Sequence, residues 1–182
     1  MYHISKDKRA ELSAELIYKG LLKCLKKKHF EDITISDLQR VSTVARTTFY
    51  RSFDTISDVL YWKCDLSFFE VLSTYSAKQF VSEYDLAKHY FSYWMTHSDI
   101  LELLIKINRY DIIYECHMKN AELLHKRYGE IPGMTKTFSS YFMAIRTGFT
   151  ISILTAWLVG GRKENLKQIM EIIRKNLEML GK

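Results

Sequence analysis

Arg46, Thr47, Thr48, Tyr50, Arg51 and Ser52 crowd around a single apolar position, Phe49. Between them they offer two guanidiniums, three hydroxyls and a phenol, with no carboxylate. Each of these groups can donate a hydrogen bond to a phosphate oxygen or to an acceptor on a base edge. The chemistry they suit is recognition of a polyanion. To act together they must stand on one rigid face, and Phe49 and Phe53, at i and i+4, supply the apolar face that would hold a short helix in place.

The residues just before repeat this logic. Ile35, Leu38 and Val41 recur at i, i+3 and i+6, one apolar face of a short helix. Thr34 opens it as an N-cap, with Asp37 in the capping-box position three residues on. The periodicity breaks at Ser42-Thr43, whose hydroxyls favour turns, and Val44 returns to the core. Residues 34–53 therefore read as two short helices about a tight turn, the helix-turn-helix plan in which the second helix enters the major groove. Thr34 joins Arg46, Thr47, Thr48, Tyr50, Arg51 and Ser52 in the expected DNA-contact set. The competing reading is a plain helical hairpin with a solvated polar face.

Charge is distributed as that plan requires. Residues 1–53 hold 11 Lys/Arg against 6 Asp/Glu, a balance of +5, whereas residues 54–182 hold 16 against 15. A basic head on a nearly neutral body is the electrostatic footprint of a nucleic-acid module. The 182 residues are 47% hydrophobic with a single proline and seven glycines, and the apolar spacings are helical almost throughout. The fold expected is all-α with about nine helices. No basic start leads into an apolar run, and the longest uncharged stretch, 147–161, is shorter than a membrane span, so a cytoplasmic location with no membrane partner is expected. Cys24, Cys64 and Cys116 are odd in number and far apart, as reduced, packed thiols would be.

Catalytic patterns are missing. There is no HExxH, GxSxG, P-loop or glycine-rich dinucleotide turn, and the six histidines are scattered. Cys116, His117 and His125 stand at i, i+1 and i+9, which does not gather metal ligands on one helix face. Neither an enzyme nor a cofactor or metal site is expected.

Around the motif, a first helix is expected from about Lys6 to Lys28, with Leu12, Leu16, Leu21 and Cys24/Leu25 as its buried stripe and Lys26–Lys28 at its negative end. Phe30 follows. Thr55 and Asp58 form a second cap signal that opens a connecting helix over 55–78. With Phe30, Thr34-Ile35, Ser42-Thr43-Val44, Thr48 to Phe53 and Thr55 to Leu60 in this spacing, the segment from about Lys8 to Phe69 resembles the N-terminal domain of the TetR family of transcriptional regulators. It departs from that family's usual pattern at three places. Ser42-Thr43 stands where Ala-Gly is usual, so Thr43 must take a conformation suited to glycine. Ala45 stands where a capping Ser is common, and Ile56 where a Lys is common. The division expected is a DNA-binding domain over 1–54 and an effector-binding and dimerisation domain over 55–182.

Beyond the head the resemblance is one of plan. Helices are expected at about 82–97, 99–107, 110–128, 135–159 and from Leu166 onward, with a loop on Gly129, Pro132 and Gly133. In the last helix Leu166, Met170, Ile173, Leu177 and Leu180 make a two-heptad seam. With Phe142, Ile145 and Phe149 of the helix before, it would form a four-helix interface between two copies. A single helix-turn-helix reads too few base pairs to be selective, which also favours a homodimer. The body is rich in aromatic residues, and Tyr90, Trp94, Tyr114 and His117 are the expected lining of a cavity for a small hydrophobic or aromatic effector. The resemblance implies a repressor of an operator in double-stranded DNA, released when such an effector binds. The alternative is a similar regulator controlled by a protein partner, with these rings as solid core.

Overall fold

Local sequence signals set most of the helix ends. The computed structural model describes residues 1–5, 7–74, 83–128 and 136–180, without the side chains of residues 72, 83, 121–128, 136, 138, 139 and 180. The described residues form nine α-helices: α1 Lys8–Leu25, α2 Ile35–Ser42, α3 Arg46–Ser52, α4 Ile56–Ser73, α5 Glu83–Thr96, α6 Asp99–Lys106, α7 Tyr110–Tyr128, α8 Lys136–Val159 and α9 Leu166–Leu180. A 3-10 turn, Phe30–Asp32, lies between α1 and α2. No strand is present among them beyond a single antiparallel bridge between Tyr2 and Phe53. The all-α expectation is met. The glycine-proline loop, the His125 side chain and the end of the connecting helix beyond 74 lie outside the described residues or side chains.

Both predicted capping boxes form. The Thr34 hydroxyl accepts from the Asp37 N–H at 3.1 Å while Asp37 accepts from the Thr34 N–H at 3.0 Å. Thr55 and Asp58 repeat the pattern at 3.3 and 2.7 Å before α4. Such reciprocal bonds satisfy orphan helix N–H groups with neighbours in sequence, so they form whatever the tertiary fold. At the other end of α2, Thr43 lies in the left-handed region with φ 61° and its N–H bonds Gln39. This is the strained position expected from a threonine in a glycine's place.

The head packs around Ala14, Ile17, Tyr18, Leu21 and Cys24 of α1, with Leu38, Val44, Phe49 and Phe53 buried with them. The stripe expected on α1 holds at its C-terminal end, where Leu21 and Cys24 are buried, but not at its start, where Leu12 is 63% and Leu16 40% exposed. Their neighbours face the core because α2 lies against α1 where Gly20 permits close approach; a Cβ on Gly20 would stand 2.9 Å from that of Ser42. Farther along, α4 packs on α7 and α7 on α8. Val59, Leu60, Trp62, Cys64, Phe68 and Val71 of α4 are buried on more than one of its faces, since α4 also meets α1 and α6.

Candidate nucleic-acid interface

Phe49 and Phe53 are buried, 2% and 0% exposed, with ring centroids 5.7 Å apart. These anchors orient the short α3, which supplies few hydrogen bonds of its own. With them turned inward, Arg46, Thr47, Tyr50 and Arg51 are exposed and Thr48 is half-buried. One Arg46 guanidinium nitrogen lies 3.3 Å from the Tyr50 hydroxyl, and its carbon 5.6 Å from the ring centroid. The i, i+4 spacing brings the two together and limits the rotamers that either must give up on binding. Ala45 makes no side-chain cap, as expected; the Thr48 N–H bonds the Ala45 carbonyl at 3.0 Å, and the Arg46 and Thr47 N–H groups that open α3 are left for water or an anion.

Ser52 is a correction. It is 4% exposed and lies on the inner side of α3, where its backbone carbonyl accepts from the His3 N–H at 2.9 Å. Counting from Phe49, position 52 returns to the buried side one turn on. Thr34 is exposed, but its hydroxyl is already committed to the Asp37 cap.

The nearest carboxylates in sequence on either side of α3, Asp37 and Asp54, are both paired. Lys28, 2.8 Å away, and the Thr34 bonds hold the Asp37 carboxyl well below the usual carboxylate range, and Arg40 adds a contact at 2.7 Å. Asp54 is lowered by the N-terminal ammonium at 2.8 Å and by His3 at 2.9 Å. The surface that α3 presents is therefore left with its two guanidiniums and no facing carboxylate on the helix itself. Nothing in the residue pattern marks the strap that ends α3. Tyr2 bridges Phe53, and its hydroxyl reaches Asp65 on α4, which also binds Lys119 and Asn120 of α7. No spacing in the sequence marks Arg109, at the α6–α7 corner, either. It donates to Ser57 at 2.8 Å, pairs with Asp111 and lies 5.4 Å over the Phe30 ring.

Of the four residues expected to line an effector cavity, the structure brings three together. Tyr90, Trp94 and His117 surround Phe68, with His117 centred 5.4 Å from both Phe68 and Tyr90. Tyr114 is a correction: it is 41% exposed, because α7 turns Ile113, Cys116 and His117 inward instead. His117 is buried and its Nδ1 lies 2.8 Å from the Thr147 hydroxyl. Burial, and then Arg146, push its pKa down to about 4, so it is neutral at pH 7. The Tyr90 hydroxyl and the Trp94 indole N–H face each other without hydrogen-bond geometry to any partner among the described residues. The interior space beside them, lined by Phe68, Tyr90, Leu101, Ile113 and Leu154 among others, holds about 10 Å³, room for one water. Cys24, Cys64 and Cys116 are all buried free thiols.

The residues expected between two copies divide. Met170 and Ile173 are 2% and 7% exposed inside the chain's own core, and Leu166 is half-buried there, since α9 folds back on α5. Those three are not on an outer face. Leu177 and Ile145 are 56% and 71% exposed, and Phe142 and Phe149 are half-buried. On α8 the buried positions are Met143, Thr147, Leu154 and Trp157, leaving Tyr141, Ile145, Ser152, Ala156 and Val159 outward. By length and composition Ser140–Val159 could cross a membrane, with 22% of it buried. Among the described residues, no group of three His, Cys, Asp or Glu could hold a metal.

No family model matches the chain, and no curated protein matches it. Among solved structures, that of Lin0861 from Listeria innocua is similar over 98% of this chain and 96% of its own, with a TM-score of 0.75. Identity is 15%. The likeness is one of fold.

Proposed function

We propose that this protein is a sequence-specific DNA-binding transcriptional regulator of the TetR type that acts as a homodimer. The observation that carries this reading is α3 itself: a helix pinned by two buried phenylalanines whose exposed side carries Arg46, Thr47, Tyr50 and Arg51 without a carboxylate. Groups of that kind on a rigid helix contact phosphates and base edges. The concentration of positive charge in residues 1–53 supports it, as does the +5 balance there against +1 elsewhere. Outward Ile145, Leu177 and Val159 support the homodimer, because an exposed apolar face of this kind marks an association surface.

Release by a small effector rests on Tyr90 and Trp94, whose buried polar atoms lack partners that a ligand could supply. The second reading, control by a protein partner, is favoured by the interior space of about 10 Å³, which must widen before anything larger than water enters. Cytoplasmic location and repression, rather than activation, belong to the same proposal. The test is binding to labelled duplex from upstream of the coding region, compared with random duplex, at about 150 mM salt. A preference of roughly 10³-fold or more is expected. Equal, weak binding to every duplex, unchanged in an Arg46→Ala/Arg51→Ala variant, would refute the DNA reading. A panel of small aromatic compounds that never shifts the melting temperature would leave the protein-partner reading.

A further inference from the structure

The C-terminal ends of α1 and α6 meet at the protein surface. With the Phe30–Asp32 turn they enclose a groove of about 570 Å³, within the size range of small-molecule sites. Four lysines line it, Lys26, Lys27 and Lys28 from the end of α1 and Lys106 from the last residue of α6, against one acidic residue, Glu31. Leu25, Phe30 and Ile107 line it too, an apolar bed between the cations.

Helix ends draw lysines for a structural reason, since each C-terminus carries roughly half a negative charge. That does not exhaust the charge here. Lys28 is already held by Asp37 at 2.8 Å, but Lys26, Lys27 and Lys106 carry no salt bridge among the described residues. With Lys28 discounted and roughly half a charge assigned to each helix end, the groove still remains positive. The cations also come from two helices, so a chain of linked phosphates can offer a charge to each side of the groove, where a single compact anion offers one.

We infer that this groove binds an anion of two or more linked phosphates, joining the end of α1 to the α6–α7 corner. The consequence is mechanical. Arg109 at that corner holds Ser57 of α4 and covers Phe30, so the bound anion would tie the basic head to the helices behind it. An organic polyphosphate such as a nucleoside triphosphate and a purely inorganic one share this chemistry. Leu25, Phe30 and Ile107 would distinguish them by accommodating the organic part.

The inference is independent of DNA binding and is tested on the protein alone. Sodium tripolyphosphate and ATP are titrated by calorimetry against sodium chloride of matched ionic strength, and each variant is judged against its own baseline. Binding above the chloride control is expected, weakened by about tenfold for each lysine removed in Lys26→Gln and Lys106→Gln, the usual worth of a charged hydrogen bond. Lys23→Gln, exposed on α1 outside the groove, should bind as the parent does. Tighter binding of ATP than of tripolyphosphate assigns an organic ligand, and the reverse an inorganic one. Absence of binding beyond chloride, or equal binding by the Lys26→Gln/Lys106→Gln variant, overturns the inference. So does the outcome in which these substitutions only lower affinity for duplex DNA and flatten its salt dependence, which would make the groove a DNA-backbone surface.

Discussion

Lowering the pH from 7.5 to 5 should destabilise this protein through one side chain, His117. Its imidazole is buried against Phe68 and Tyr90, and Thr147 is its hydrogen-bond partner at 2.8 Å. The folded pKa is pushed down to about 4 from 6.5, first by burial and then by Arg146. The unfolded chain therefore takes up a proton at this site near pH 6.5 that the folded chain refuses until about pH 4. Stability must fall as pH drops through that window and is fully present above it. The two pKa values put the loss at about 2 kcal/mol at pH 5, approaching roughly 3 kcal/mol below pH 4. For a chain of this size about 2 kcal/mol corresponds to a melting temperature lower by roughly 4–8 °C. The assay is urea unfolding at fixed protein concentration from pH 7.5 to 5, with His117→Gln alongside. Glutamine can still bond Thr147 but does not titrate, so the variant's pH slope should be flatter by the same amount. Depressed carboxylates such as Asp37 release their stabilisation only at lower pH, outside this window. Equal pH dependence in the two proteins, or a His117 ring resonance that titrates near pH 6.5 in the folded state, would refute the reasoning.

Other perturbations follow from the same contacts. Arg46→Ala or Arg51→Ala should each cost about 1–3 kcal/mol in operator binding if the guanidinium is bidentate to guanine, with relaxed selectivity at that base; a uniform loss and shallower salt slope would mark a phosphate contact. Thr43→Gly should stabilise the protein by about 1 kcal/mol or less, because glycine takes φ 61° without strain; a lower denaturation midpoint would mean the Thr43 hydroxyl bond to the Ser42 carbonyl outweighs that strain. Gly20→Val should destabilise by about 1–3 kcal/mol, since even its Cβ stands 2.9 Å from Ser42 Cβ and α1 must move away from α2. Ile145→Glu, at a position 71% exposed, should leave the melting profile of the monomer nearly intact while lowering the sedimentation coefficient to that of one chain; persistence of a dimer would remove this face from the interface.

Legibility in the sequence followed the range of the interactions. The Thr34–Asp37 and Thr55–Asp58 caps, the left-handed Thr43 and the uncapped Ala45 depend on atoms within three or four residues, and all were readable before any fold was known. The Phe49 and Phe53 anchors were readable for the same reason, and with them the outward stand of Arg46, Thr47, Tyr50 and Arg51. Phase on longer helices was not. Leu12 and Leu16 of α1 are as apolar as the residues that were buried, and periodicity alone allows either stripe. The neighbour decides: α2 at Gly20 fixes which side of α1 is covered, and α7 fixes the buried side of α8. The same holds for Ser52 and Tyr114, whose residue types suit surface or core alike, and for Met170 and Ile173, which α5 covers within one chain.

The sequence by itself thus determined the helical class, the caps and the basic, carboxylate-free face of α3, because local hydrogen bonds and charge need no distant partner. Tertiary structure alone decided what crosses the molecule. It set Tyr2 against Asp65, Arg109 against Ser57 and Phe30, and His117 against Thr147, pairs 30 to 79 residues apart that no spacing rule connects. It also brought Lys106 beside Lys26 and Lys27, since the position of a charge in space depends on how whole helices pack and not on the residues next to it in the chain.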